Sequence, residues 1–345
     1  MSNRSLIETI LSESFPLIAP IASSIGTRLT SISRSDNLDD ADKQLKSLAA
    51  FIERFPDVDV VFSIMDTTVE ARAVGCPFEF INGPAIITDH IYQDFSKIKH
   101  IKIPDPYENP YMRSNIEVIS KLSSITESFA GAWIVGPVTL ASHFMGISEL
   151  VKVSFQDPGV FQEILKCCNN IIKPYAHALA EAGADLLIVL EPQVMLFSPR
   201  VYKESIRSNL EYLAKALPNP VLHVCGNTTH HISFFAKTDY FIGLSLDSMV
   251  DFKTCLKENK DLSNKILMGN IDPVSILLYG TPDLISDRVS DIITSMNGKK
   301  FILSSGCDMD PETPLESLDA FINAALKLRK QKGLMSNMDC KEVSH

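Results

Sequence analysis

Residues 185–190 read DLLIVL, residues 199–216 read PRVYKESIRSNLEYLAKA, and residues 220–224 read PVLHV. The two outer runs are short, apolar and almost free of charge. The stretch between them carries its apolar residues at helical spacing. A strand, a helix long enough to cross back, and a second strand make a parallel βαβ unit. The same rhythm extends in both directions. Phe15–Ile21 (FPLIAPI), Val58–Ile64 (VDVVFSI) and Ala130–Val135 (AGAWIV) precede it, and Tyr240–Leu246 (YFIGLSL), Ile266–Gly269 (ILMG) and Lys300–Ser304 (KFILS) follow. Amphipathic stretches such as Asp40–Arg54, Val160–Ala182, Pro282–Met296 and Leu315–Lys330 lie between these runs. An open doubly wound sheet usually has fewer strands, and the glycine-rich GxGxxG turn of dinucleotide folds is absent. Eight units in an unbroken chain predict an α/β fold, a (β/α)8 TIM barrel. The expected domain is 1–330, with an N-terminal helical extension and a long proline-rich loop near 82–110. Residues 331–345 lose apolar periodicity and read as a flexible tail.

Composition narrows the function classes. The 345 residues are 45% hydrophobic and 21% charged, which suits a folded chain with a large core. Acidic residues outnumber basic ones, the formal net charge is −10, and no basic stripe marks a nucleic-acid surface. No apolar run reaches the ~18 residues that suggest a membrane span. Glu8, Glu13 and Pro16 interrupt the N-terminal apolar residues, so no secretory leader is expected. Seven cysteines, an odd number, point to reduced thiols and a cytoplasmic protein.

Barrel active sites lie at the C-terminal ends of the strands. In that position stand Asp66, Gly136-Pro137, Glu191, His223 with Cys225, Asp247, Asn270 with Asp272, and Cys307. Polar punctuation of apolar strands accounts for the aspartates and asparagines; it accounts poorly for a histidine and two cysteines. In Leu222-His223-Val224-Cys225-Gly226-Asn227, positions i and i+2 of a strand point the same way, so the imidazole and thiol converge. These are donors suited to zinc. Barrel closure would bring Cys307 to the same rim as a third ligand and leave one coordination position open, the catalytic pattern. A bare His-x-Cys pair is nevertheless weak, since a buried cysteine is more often a small core residue. Asn227 is a candidate support for His223. Glu191 and Asp247 are either a displaceable fourth ligand or groups that orient a neighbour and cap a loop. His230 and His231 read as a helix start.

Several of these segments resemble the uroporphyrinogen decarboxylase superfamily, and within it the methylcobamide:coenzyme M methyltransferase branch. They are HVCGN (223–227), SSGCDMDPETP (304–314), GNIDP (269–273), MDTTVEA (65–71) and GPVTLA (136–141), and the resemblance runs from about Ser14 to Lys330. It implies zinc (Zn2+) on His223, Cys225 and Cys307, holding an acceptor thiol as thiolate. It further implies a methyl donor, a methylcobamide carried by a separate corrinoid protein, for which the 82–110 loop is a candidate docking surface. Candidate catalytic residues are then Asp66, Glu191 and Asp247, and candidate cofactor contacts are Met65, Gly136, Asn227 and Asn270. Coenzyme M is the acceptor the resemblance suggests; another small thiol or tetrahydrofolate stays open. Decarboxylases of the superfamily carry an RQAGR motif after the first strand. Here that region reads PIASSIGTRLTSISR (20–34), with Arg28 and Arg34 alone. Asp66 matches the decarboxylase aspartate that contacts pyrrole nitrogens, which keeps decarboxylation as the alternative.

Overall fold

In the computed structural model, which describes residues 6–12, 15–92, 95–296 and 299–342, each of the eight apolar runs contributes a strand. They are β1 (Leu17–Ile18), β2 (Val60–Phe62), β3 (Phe129–Val135), β4 (Leu186–Leu190), β5 (Pro220–Val224), β6 (Gly243–Leu246), β7 (Ile266–Ile271) and β8 (Phe301–Ser305). All pairings are parallel, from β2 with β3 through to β7 with β8. β1 then pairs with β8, Leu17 opposite Ile302, so the sheet curls back on its own beginning. The first strand is far shorter than its apolar run because Pro16 and Pro20 flank it and cannot donate to a ladder.

The remaining seam, between β1 and β2, is stitched by one residue. The Asp59 N–H donates to the Ile18 carbonyl (2.8 Å), and Asp59 Oδ2 accepts from the Ile18 N–H (2.7 Å). Arg329 of the last helix pairs with the same carboxylate. The barrel is therefore nearly closed, which leaves little strand edge unpaired.

Strand alternation sorts the core into two layers. Leu186, Ile188, Leu190, Val221, Met268 and Ile302 point into the barrel, where Phe62 and Trp133 pack in a tilted arrangement with ring centroids 4.9 Å apart. Leu187, Val189, Leu222, Val224 and Leu303 point outward into the larger layer beneath the helices. Leu6 and Ile10, on the N-terminal helix Leu6–Ser12, join the inner layer. Gly131 sits where a Cβ would fall 2.1 Å from the Phe62 ring, so only glycine lets this aromatic fill the interior.

The 82–110 segment, which the sequence reads as an extended loop or a small subdomain, carries some regular structure. An antiparallel hairpin, Phe78–Phe80 with Ala85–Ile87, enters it; the short helix Phe95–Ile98 follows, and Asn109 caps the helix Pro110–Leu122. The four prolines of the segment suppress long helices while leaving local pairing intact. The last helix runs Leu315–Glu342, past Lys330 into the stretch that composition reads as a tail. Among the described residues no helix is long and apolar enough to cross a membrane.

Replacing Asp59 with Ala leaves the Ile18 N–H without its acceptor at the seam. A loss of about 2 kcal/mol in unfolding free energy is expected, measurable by urea denaturation.

Candidate metal centre

The inward register of β5 carries His223 into the barrel, and Cys225 follows one pleat further at the strand's C-terminal end. His223 lies opposite Ser245 of β6, and its Nδ1 is 2.9 Å from the Ser245 hydroxyl. With Nδ1–H donating to that oxygen, Nε2 keeps its lone pair toward the cysteines. Nε2 is 3.0 Å from Cys225 Sγ, and Cys225 Sγ is 3.3 Å from Cys307 Sγ. All three donor atoms lie within 4.8 Å of one another, the one such group of three metal-capable side chains found among the described residues. One imidazole and two thiols at this spacing fit a divalent zinc with an open position. The hydrogen bond between the thiols holds the proton on Cys225, pushing that thiol up, and stabilises Cys307 as the thiolate. The edge of Trp133 approaches the His223 ring, centroids 6.5 Å apart, and Trp133 Nε1 donates to the Ser63 carbonyl (2.8 Å).

The loops that end β5, β6, β7 and β8 interlock around the three donors. Gly226 has φ +80°, and a Cβ there would meet Met195 Sδ at 2.8 Å. Its N–H donates to Asp247 Oδ2 at 2.8 Å. A Cβ at Gly306 would fall 2.6 Å from the Ser248 nitrogen. The Asn270 side-chain amide donates to the carbonyls of Asp247 (2.9 Å) and Val250 (2.6 Å). Asp247 and Asn270 therefore hold backbone in place around the thiols. Asp272 caps the turn after β7 through Val274 and Ser275.

The partners of Glu191 and Asn227 bear on two of the sequence expectations, and Glu191 takes the orienting and capping alternative. Glu191 is wholly buried and turned to the start of the helix Pro137–Met145. Its oxygens accept from the Val138 N–H (3.0 Å), the Thr139 N–H (2.6 Å) and the Thr139 hydroxyl (2.5 Å). A carboxylate at a helix N-terminus satisfies orphan donors, so this residue anchors the Gly136-Pro137 turn instead of facing the thiols. Gly136 is glycine for that reason: a Cβ would stand 2.1 Å from Glu191 Oε2. Asn227 does not support His223. Its oxygen accepts from Thr229 in a local turn, and Ser245 takes the supporting role. No sequence pattern singles out Ser245, because its position opposite His223 exists only once β5 and β6 pair.

Asp66, at the end of β2, is held from two sides. Its Oδ1 accepts from the Thr68 N–H (2.8 Å) and hydroxyl (2.7 Å), and its Oδ2 pairs with Arg72. Arg72 is completely buried, bonds Asp39 with its other nitrogen, and lies over the rings of Phe78 and Tyr111. Sequence reasoning missed Arg72; the available signal was a cation six residues after the aspartate, across a short helix. Met65 is half-buried against the inner layer, and its carbonyl lies 3.4 Å from Arg34 Nη2. Glu70 is buried beside this cluster, accepting from the Val135 N–H (2.9 Å) while its Oε2 meets no partner. Burial pushes its carboxyl up to about 8.

With fold and site described, the class is clear: the chain belongs to the uroporphyrinogen decarboxylase (URO-D) family, whose model matches residues 24–328. Among curated relatives, the methylcobamide:CoM methyltransferase MtbA of Methanosarcina acetivorans is 27% identical over 271 residues, spanning 75% of this chain and 77% of the relative. A uroporphyrinogen decarboxylase of Picrophilus torridus is 26% identical over 288 residues, spanning 78% of this chain and 80% of the relative. Among solved structures, a methyltransferase from Methanosarcina mazei superposes with TM-score 0.84 at 21% identity, covering 93% of this chain and 97% of that one. That superposition establishes the shared fold.

Ser245→Ala should weaken divalent-metal binding about 10- to 100-fold, read by competition with a chromogenic chelator. Glu70 supplies a pH test. Its folded-state pKa is raised, so the folded protein holds this proton more tightly than the unfolded chain, and stability falls as pH rises from about 5 toward 8. Glu70→Gln should flatten that fall in melting temperature.

Proposed function

We propose that this chain is a zinc-dependent methyltransferase. It would move a methyl group from a methylated corrinoid on a partner protein to a small thiol, with coenzyme M the preferred acceptor. The observation that carries this reading is the meeting of His223, Cys225 and Cys307 donors at one barrel rim. The methylcobamide:CoM methyltransferase relatives support the same chemistry. Zinc held there would leave one position for the acceptor sulfur and lower its pKa, supplying a thiolate at neutral pH.

The protein's own groups prepare that step. Ser245 fixes the histidine tautomer so that Nε2 faces the thiols. Cys307, as the more acidic thiol, supplies negative charge, and the proton on Cys225 leaves when both sulfurs bind a cation. The Asp247–Gly226 bond sets the position of the Cys225 turn. Trp133, buried itself, packs edge-on against the His223 ring on the inner side of the site. In the reaction the sulfur–methyl bond forms as the cobalt–carbon bond breaks. Both electrons of that bond stay with cobalt, and the thiol proton passes to solvent.

A decarboxylase reading would need several cations around a polycarboxylate. Arg28 donates to the carbonyls of Glu312 and Thr313, and Arg72 is engaged by Asp66 and Asp39. These side chains are already occupied.

Purified protein is expected to contain one zinc per chain by elemental analysis. Cys225→Ser and Cys307→Ser should each lose the metal together with coenzyme M-dependent demethylation of methylcobalamin, followed at the cobalt absorption band. Metal-free protein that turns over a porphyrinogen would overturn the proposal.

A further inference from the structure

A guanidinium reaches the metal rim from the other side of the barrel mouth. Arg34 opens the helix Arg34–Asp39, which Ser33 caps. Its Nη2 donates to Asp308 Oδ2 at 2.8 Å and lies 3.4 Å from the Met65 carbonyl. Asp308 is the residue next to Cys307, so this cation stands one residue from the candidate metal ligands. Both bonds leave from the same nitrogen, and Nε is buried without an acceptor. A buried N–H left unpaired is costly, and the simplest relief is an acceptor that arrives with a ligand.

The side chain is also held in place. Gly83, in the turn of the hairpin Phe78–Ile87, lies against the Arg34 stem; a Cβ there would be 3.2 Å from Arg34 Cβ. Ser24 donates to the Met309 carbonyl (2.8 Å), and its hydroxyl lies 3.5 Å from the other oxygen of Asp308. The other charged groups close to the thiols, Asp247 and Asp308, are acidic. An anionic acceptor entering this site therefore needs a cation, and Arg34 is placed to be it.

We propose that Arg34 determines acceptor specificity: its unused N–H groups hold one anionic end group, a sulfonate or carboxylate, of a short thiol whose sulfur lies at His223, Cys225 and Cys307. One guanidinium matches one oxyanion and is too little for a polycarboxylate. This inference rests on the thiol reading above, whose preferred acceptor already carries a sulfonate, and adds to it the residue that reads that charge.

The test is binding to cobalt(II)-substituted protein, followed by the sulfur-to-cobalt charge-transfer band. The probes are 2-mercaptoethanesulfonate and neutral 2-mercaptoethanol. Wild type should bind the sulfonate at least about tenfold more tightly. Arg34→Gln should lose about 10- to 100-fold for the sulfonate, the size of a charge-assisted hydrogen bond, and less than about threefold for the neutral thiol. Arg34→Lys should recover part of the preference, which a merely structural role would not produce. Equal losses for both thiols, no loss for either, or no preference in wild type would overturn the Arg34 assignment and leave the thiol reading intact. Failure of both thiols to perturb the band in wild type would sink the thiol reading and this assignment with it.

Discussion

Cys225 and Cys307 are 82 residues apart in the chain, and their sulfurs are 3.3 Å apart in the fold. Closure of the parallel barrel accounts for both facts. β5 and β8 run in the same direction, so their C-terminal ends share a rim, and the curl that pairs β1 with β8 brings those ends together. The narrow seam at Asp59 thus matters to a site on the far side of the barrel. If β1 and β2 parted, the curvature that holds the two thiols in contact would relax.

Buried polar groups around the site work as scaffolding. Glu191 satisfies the first N–H groups of a helix, Asn270 bridges two carbonyls, and Asp247 receives the Gly226 N–H. Each stands at a strand's C-terminal end, where sequence reasoning places catalysts. In a barrel with short connecting loops these positions also carry the greatest density of orphan backbone groups, and short polar side chains are what satisfy them. The glycines at 136, 226 and 306 belong to the same economy. Each permits an approach between loops that a Cβ would block.

The acidic residues near the thiols create a demand for positive charge that the site meets in two ways. The His223, Cys225 and Cys307 donor set would accept a divalent cation, and Arg34 brings a permanent positive charge beside Asp308. Arg72 does a comparable job for Asp66 in a drier setting, between two aromatic rings. Family membership spans methyltransferases and decarboxylases of nearly equal percentage identity to this chain. The side chains at the rim, more than overall identity, favour one chemistry over the other.

The eight strands were legible from local pattern because a strand buried on both faces must be apolar throughout, whatever its neighbours. His223, Cys225 and Cys307 were legible because histidine and cysteine at strand ends are rare enough to be noticed, and alternation places two of them on one side. The hairpin at 78–87 was not: its strands are three residues each, too short for any period to show. Ser245, Arg72 and Arg34 were hidden for a different reason. Serine and arginine are common residues, and what distinguishes these three is the partner each one meets. The linear chain determined the alternation of elements and the three soft donors. Tertiary structure alone decided that Ser245 stands behind His223, that Glu191 turns to a helix, and that a guanidinium from the first turns of the fold reaches the residue beside Cys307. Side-chain partnership depends on strand register and loop packing, which are set by the whole barrel closing at once.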